Sequence, residues 1–210
     1  MKRLTVDELN LNAQPGTFAG TLMNSSADLV TRVCQGDSDA FRQIFERYSR
    51  PVISFIYDMV NDRGLAEELT QETFVRAFRA IRTMRAETKL STWLFGIARN
   101  VAREALRARA RAGHHVDLSD KSVMDLSDSK PVPVDGLLNK ELNELIRRSL
   151  AALDEDKRLV FTLKVLHQCS YEEIAVITGF SVAKLKTDLH RARAEMRKRI
   201  GHYAGVGYEV

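Results

Sequence analysis

Apolar residues in this chain recur at steps of three and four almost throughout, and nowhere do they alternate as a half-buried strand requires. Leu29 and Val33 open the pattern. Phe41, Ile44, Phe45, Tyr48, Val52, Phe55, Ile56 and Met59 extend it, and Leu65, Leu69, Phe74, Val75, Phe78 and Ile81 repeat it. Trp93, Leu94, Ile97 and Val101 start an Arg/Ala-rich run to Arg111. Leu138, Leu142, Leu145, Ile146 and Leu150 form a further stripe, followed by Leu159, Val160, Leu163 and Leu166. The periodicity predicts an all-α chain of two small helical bundles.

Punctuation divides the stripes. Gly36-Asp-Ser-Asp39 reads as a turn, with Asp37 to Asp39 available as caps. Pro51 predicts a kink or break in its helix, because it lacks an N–H and its ring crowds the preceding turn. Asn61-Asp-Arg-Gly64 is a second turn, and Thr83–Leu90 is a loop after which Ser91 or Thr92 can cap a helix. Asp154 is placed to cap another. Gly113, Pro131, Pro133 and Gly136, among several Ser and Asp, mark a linker. The expected layout is a flexible tail at 1–24, a first bundle at 25–112, a flexible linker at 113–136, a second bundle at 137–203 and a tail at 204–210.

The run from Tyr171 to Arg193 reads as a helix-turn-helix. Ser170 and Glu173 have capping-box spacing, in which side chain and backbone at the helix start satisfy each other. Ile174 and Ala175 lie on the inner face of a short helix. Gly179 falls where the turn needs a positive φ or a close backbone approach. Ser181 can cap the second helix, whose Leu185, Leu189, Ala192, Met196 and Ile200 make one apolar stripe. Lys184, Lys186, Thr187, His190 and Arg191 lie off that stripe. A helix packed by one face and basic on the other suits a DNA major groove. The bland alternative is an ordinary surface helix with solvated charges.

Charge is sorted along the chain. The net charge is only +4, yet Ser181–Arg199 carries seven basic residues against two acidic, and Arg99–Arg111 five arginines against one glutamate. Asp62–Glu72 reverses this, with four acids and one arginine, and Asp117–Asp135 has five aspartates against two lysines. Cys34 and Cys169 are the only cysteines and give no disulfide framework, which fits a reducing cytoplasm. The first residues have charge but no apolar stretch of signal-peptide length, and no run of about twenty apolar residues could span a membrane. His114-His115 and His167 with Cys169 lack further ligands at a metal-site spacing. No phosphate-cradling glycine loop or nucleophile–base arrangement appears. The expectation is therefore a non-enzyme with no cofactor, metal or small-molecule substrate.

Several segments resemble one family. Gly36-Asp-Ser-Asp-Ala-Phe-Arg-Gln-Ile-Phe-Glu-Arg-Tyr48 resembles the opening of domain two of bacterial sigma factors. Ala66-Glu-Glu-Leu-Thr-Gln-Glu-Thr-Phe-Val-Arg-Ala-Phe78 resembles the segment with which that domain grips core RNA polymerase. Ser91-Thr-Trp-Leu-Phe-Gly-Ile-Ala-Arg-Asn100 is similar to the promoter-melting segment of the extracytoplasmic-function group of the sigma-70 family. The stretch from Leu150 through the helix-turn-helix looks like sigma domain four. The likeness covers roughly residues 27–200 in order, and a short acidic linker stands in place of a third helical domain.

The resemblance implies a bacterial, cytoplasmic transcription initiation factor. Its partners would be core RNA polymerase, through the beta-prime clamp and beta flap, promoter DNA, and an anti-sigma protein that holds it until a stress or envelope signal. Glu67, Glu68, Gln71 and Glu72 would meet the clamp; an acidic face on a net-basic chain suits a protein partner better than DNA, the alternative being a solvated face. Trp93 would lie where the opened strand is handled, or be simple core. Asn100, with both donor and acceptor, would read an exposed base of the minus-ten element beside a base-capturing Thr83–Leu90 loop, or be a plain polar helix residue. Arg103, Arg107, Arg109 and Arg111 would contact phosphates. Lys186, Thr187, His190 and Arg191 match positions facing the minus-thirty-five element, as does Lys184, whose place near the helix start suits phosphate contact equally. Asp188 departs from the family, where a basic residue is common. It would accept from a cytosine amino group or pair with Arg191 or Lys184.

Two other readings compete. In one, the chain is an ordinary helix-turn-helix repressor or activator, with 27–111 as a dimerisation module. In the other it is a helical adaptor that binds proteins only. The Trp93–Asn100 segment followed by arginines favours the initiation factor over the first, and the two basic helix ends disfavour the second.

Overall fold

A computed structural model describes the backbone of residues 18–111 and 135–201 and the side chains of 26–111 and 143–201. Among these residues there is no strand. The helices are α1 (Phe18–Cys34), α2 (Ser38–Val60), α3 (Arg63–Ala80), α4 (Leu90–Arg111), α5 (Asp135–Ala151), α6 (Glu155–Phe161), α7 (Tyr171–Thr178) and α8 (Val182–Gly201).

The first bundle forms around α2, which packs on α1, α3 and α4. Ile44, Val52, Phe55 and Ile56 are the fully buried face of α2, and Leu94, Ala98 and Val101 close the core from α4. Truncating a buried Phe such as Phe55 to Ala costs about 3–5 kcal/mol, through lost transfer energy and the cavity left behind. Asp37 caps α2 by accepting from the Ala40 N–H and is itself clamped by Arg32 at 2.7 Å. That guanidinium, with the Ala40 bond, holds the Asp37 carboxyl below its ordinary range. Asp62 caps α3 by accepting from the Leu65 N–H.

The second bundle closes on Leu150, Leu163, Ile174 and Leu185. Its capping box forms as expected: Ser170 Oγ accepts from the Glu173 N–H, and Glu173 accepts from the Ser170 N–H. Gly179 ends α7 at φ 74°, donating to the Ala175 carbonyl, and Ser181 Oγ accepts from the Lys184 N–H at the start of α8. The stripe Leu185, Leu189, Ala192 and Met196 is buried, and Ile200 packs against it.

Several expectations change. The expected tail at 1–24 is helical from Phe18, its earlier residues lying outside the described ones, and α5 begins at Asp135 rather than after residue 136. Most of the expected linker and the C-terminal tail lie outside the described residues. Helix α2 runs unbroken through Pro51: the proline forgoes one backbone bond while buried neighbours on both sides hold the helix. Helix α4 starts at Leu90, so Ser91 and Thr92 lie inside its first turn rather than capping it. Asp154 precedes α6 but makes no cap bond; its carboxylate pairs with Lys157 instead. After Phe161 the backbone widens into a π turn, Thr162–Leu166, which leaves Leu166 exposed rather than inside.

The bundles meet along α2 and α4 of the first and α5, α6 and α7 of the second. Arg158 ties them. Its guanidinium donates to the Met59 carbonyl near the end of α2, to the Ala151 carbonyl at the last residue of α5 and to the Leu153 carbonyl just beyond it. One side chain thus satisfies the ends of two helices, where free carbonyls and the macrodipole favour a cation.

Candidate polymerase and nucleic-acid interfaces

Helix α3 presents the expected acidic face. Glu67, Glu68 and Gln71 are exposed, and Glu72 is half-buried. Glu67 pairs along the helix with Arg63, and Glu72 with Arg76, which also reaches Glu104 on α4 at 2.9 Å. Glu68, Gln71, Glu72, Val75, Arg76 and Glu104 line a shallow groove between α3 and α4. Sequence periodicity counted Phe45, Val75 and Phe78 as core. The structure leaves them 42%, 42% and 54% exposed. Phe78 stacks edge-on with Phe41, and Phe45 with Phe74, so an aromatic ledge continues the groove. Large apolar side chains left in contact with solvent beside a charged groove mark a protein-binding surface.

The loop from Met84 to Lys89 and the start of α4 bound a cavity of about 480 Å³. Its floor includes Tyr48, Thr92 and Phe95. Trp93 is half-buried and packs against the core. Asn100 and Arg107 are exposed. Arg103 is not free: its Nε lies 3.0 Å from Glu155 of α6. Arg109 is held by Asp62 and so braces the end of α4 against the start of α3. Arg99 is half-buried and reaches the Ile177 carbonyl, and burial lowers its pKa.

On α8, Lys186, Thr187, His190 and Arg191 all project into solvent, forming the face anticipated from the sequence. Lys184 does not join them. Its ammonium binds Asp156 at 2.8 Å and Asp188, and sits 4.0 Å over the Phe180 ring. These acids raise its pKa against the opposing effect of burial. Asp188 itself is buried, and its carboxylate accepts from Lys184 one helical turn earlier, one of the two pairings along the helix that the sequence offered.

His167 and Cys169 lie side by side without forming a metal centre; among the described residues no group of three or more His, Cys, Asp or Glu could hold an ion. Burial pushes the Cys169 thiol up to about 12, with Glu173 adding to the effect. His114 and His115 lie outside the described residues. No helix among those described is long and apolar enough to cross a membrane.

Comparison with known proteins agrees with this arrangement. The sigma-70 region 2 family matches residues 44–112, and the sigma-70 region 4 family matches 143–196. The chain is 32% identical to the ECF RNA polymerase sigma-E factor of Escherichia coli K12, over 82% of this chain and 92% of that protein. It is 29% identical to the RNA polymerase sigma-H factor of Pseudomonas aeruginosa over the same shares. Two solved structures share its fold. CnrH, in complex with the cytosolic domain of CnrY, has a TM-score of 0.64 at 20% identity, over 85% of this chain and 98% of that one. The sigma factor RpoE of Bartonella quintana, in complex with the anti-sigma factor NepR, has a TM-score of 0.63 at 21% identity, over 77% and 96%. With both sigma-70 regions present in order, the chain belongs to the extracytoplasmic-function group of the sigma-70 family, the factors that direct RNA polymerase to promoters.

Proposed function

We propose that this sigma factor binds core polymerase through the acidic groove and aromatic ledge of α3, and holds promoter DNA at two points. Glu68, Gln71 and Glu72 would meet a basic clamp helix, with Val75 and Phe78 supplying apolar contact. The N-terminal bundle (25–112) would handle the minus-ten element through the 84–89 loop, Trp93, Asn100, Arg103 and Arg107. The C-terminal bundle (137–203) would read the minus-thirty-five element through Lys186, Thr187, His190 and Arg191. The observation that carries this reading is the presence on one chain of three chemically distinct surfaces: an acidic groove, a loop cavity leading to an arginine helix, and a solvated basic helix behind a left-handed glycine turn.

Strand opening needs no catalytic group on this chain. Stacking and contacts to unpaired bases offset the few kcal/mol that unstacking costs. The factor would act in the cytoplasm, where its DNA is. An anti-sigma protein is its expected regulator, because both similar solved structures are complexes: CnrH with CnrY, and RpoE with an anti-sigma factor.

Selection of bound genomic DNA with the assembled holoenzyme tests the reading. Enriched fragments should share two short elements at a fixed spacing. Arg191→Ala should cost about 1–3 kcal/mol, relaxing the upstream element alone. Equal enrichment by the chain without core enzyme would instead identify an ordinary helix-turn-helix regulator.

A further inference from the structure

Lys184 stands near the start of the helix proposed to read the upstream element, yet its ammonium is turned back onto the protein. It donates to Asp156 of α6 at 2.8 Å and to Asp188 one turn along α8, and it lies 4.0 Å from the centre of the Phe180 ring. Asp188 is buried. Arg191, three residues further on, is exposed and pairs with no carboxylate among the described residues.

This choice of partner runs against the helix itself. Asp188 has two cations within a turn on α8, Lys184 before it and Arg191 after it; Leu185 and Ala192 fill the other two neighbouring positions. In a helix an acid pairs better with a base that follows it than with one that precedes it, because that order suits the macrodipole. On α8 alone Asp188 would turn to Arg191. Contacts from outside the helix reverse the preference: Asp156 and the face of the Phe180 ring fix the Lys184 ammonium beside the buried Asp188.

We propose that Lys184 is a positioning residue for upstream-element reading: its ammonium, fixed by Asp156 and the Phe180 ring, holds the Asp188 carboxylate and so leaves Arg191 free for a base. The proposal rests on the reading of that element by α8. Without the Lys184 charge, Asp156 and Asp188 face each other with no cation between them. Asp188 then has one cation left on its helix, and pairing with it draws Arg191 off the DNA. The helix keeps its place, because Leu185, Leu189 and Ala192 remain buried and Lys157 of α6 still pairs with Glu195 further along α8.

The test uses holoenzyme assembled with the full chain and two duplexes: a genomic fragment enriched as above, and the same fragment with its upstream element replaced by unrelated sequence. The ratio of the two affinities reads the upstream element alone. Arg191→Ala should lower that ratio about tenfold. Lys184→Met keeps the apolar stem and removes the charge. It should lower the ratio as much, and combined with Arg191→Ala it should lower it no further. Asp188→Asn added to Lys184→Met should restore the wild-type ratio, since an amide has no charge to hold Arg191. A loosened helix would instead forfeit Lys186, Thr187 and His190 as well, and push the ratio below that of Arg191→Ala. A wild-type ratio in Lys184→Met, further loss in the combination with Arg191→Ala, or no recovery with Asp188→Asn overturns the proposal. If Lys184→Met lowers the helical circular-dichroism signal, Lys184→Met plus Asp188→Asn is compared with Asp188→Asn alone. The two should share one ratio and one salt dependence. A dependence shallower by about 0.9 in the double variant places Lys184 on a phosphate and overturns the proposal, as does a lower ratio. If Arg191→Ala leaves the ratio unchanged, base reading by Arg191 is what fails, and the proposal falls with it.

Discussion

A carboxylate on a DNA-reading helix should repel phosphate, and Asp188 escapes that penalty by turning inward to Lys184. Lys186, Thr187, His190 and Arg191 stay exposed beside that pair. The sequence made the Asp188–Lys184 pairing visible through its four-residue spacing. It did not reveal Asp156, which comes from α6 and completes the cluster. Caps were legible for the same local reason. Asp37, the Ser170/Glu173 box and the Gly179 turn depend on neighbours within a few residues. Asp154 was misread because Lys157, equally near, offers its carboxylate a full charge. Two buried ionisable groups give a prediction at this scale. Burial drops His167 from 6.5 to about 4, so its share of stability is complete above 6.5 and is lost as pH falls toward 4. Burial lifts Asp58 from 3.8 to about 7 against the pull of Arg147, so its share is complete below 3.8 and is lost as pH rises toward 7. The two oppose each other between pH 4 and 7. Lys89 and Glu173, which share the cavity wall with His167, form an ion pair at 2.8 Å. Urea unfolding should therefore show a stability that falls more steeply on acidification from 6.5 in Asp58→Asn than in wild type, and one that rises on acidification from 7 in His167→Gln. Identical profiles in the two variants would contradict the assignment.

Helix α3 shows how far periodicity carries an element and where it stops. Leu69 and Phe74 are buried as the stripe demands, but Val75 and Phe78 face out. A three-and-four spacing defines a stripe wider than the strip of neighbour available to cover it, and only the packing of α2 and α4 decides which edge stays bare. That bare edge adjoins the acidic groove, so the element carries both charge and apolar contact for one partner. Glu68→Lys combined with Gln71→Ala should weaken core-polymerase binding by at least about tenfold, as expected for charge reversal at a complementary interface. Binding of double-stranded DNA by α8 in the same full chain should be unchanged. Pull-down of core enzyme and a gel-shift assay read the two; equal loss of both would contradict the division of labour. The continuity of α2 through Pro51 and the earlier start of α1 were hidden for a related reason. Tertiary burial overrides the local signal of a proline, and the polar composition before Ser26 conceals a helix start.

For the whole molecule, class and order of parts were legible: two helical bundles, the helix-turn-helix last, the acidic and arginine-rich segments in sequence. The docking of one bundle on the other was not. Arg158 to Met59, Lys89 to Glu173 and Arg103 to Glu155 join residues far apart in the chain, and no local spacing pairs them. Under the proposed function the two bundles give polymerase a two-point hold on the promoter. Neither point needs to bind tightly by itself, since attachment through the enzyme raises the effective concentration of the other. Run-off transcription from genomic promoter fragments, with core RNA polymerase and this full chain, tests that claim most directly. The account predicts specific transcripts that vanish with Glu68→Lys plus Gln71→Ala. Failure of any specific transcript to start when the chain is added to active core enzyme would contradict it.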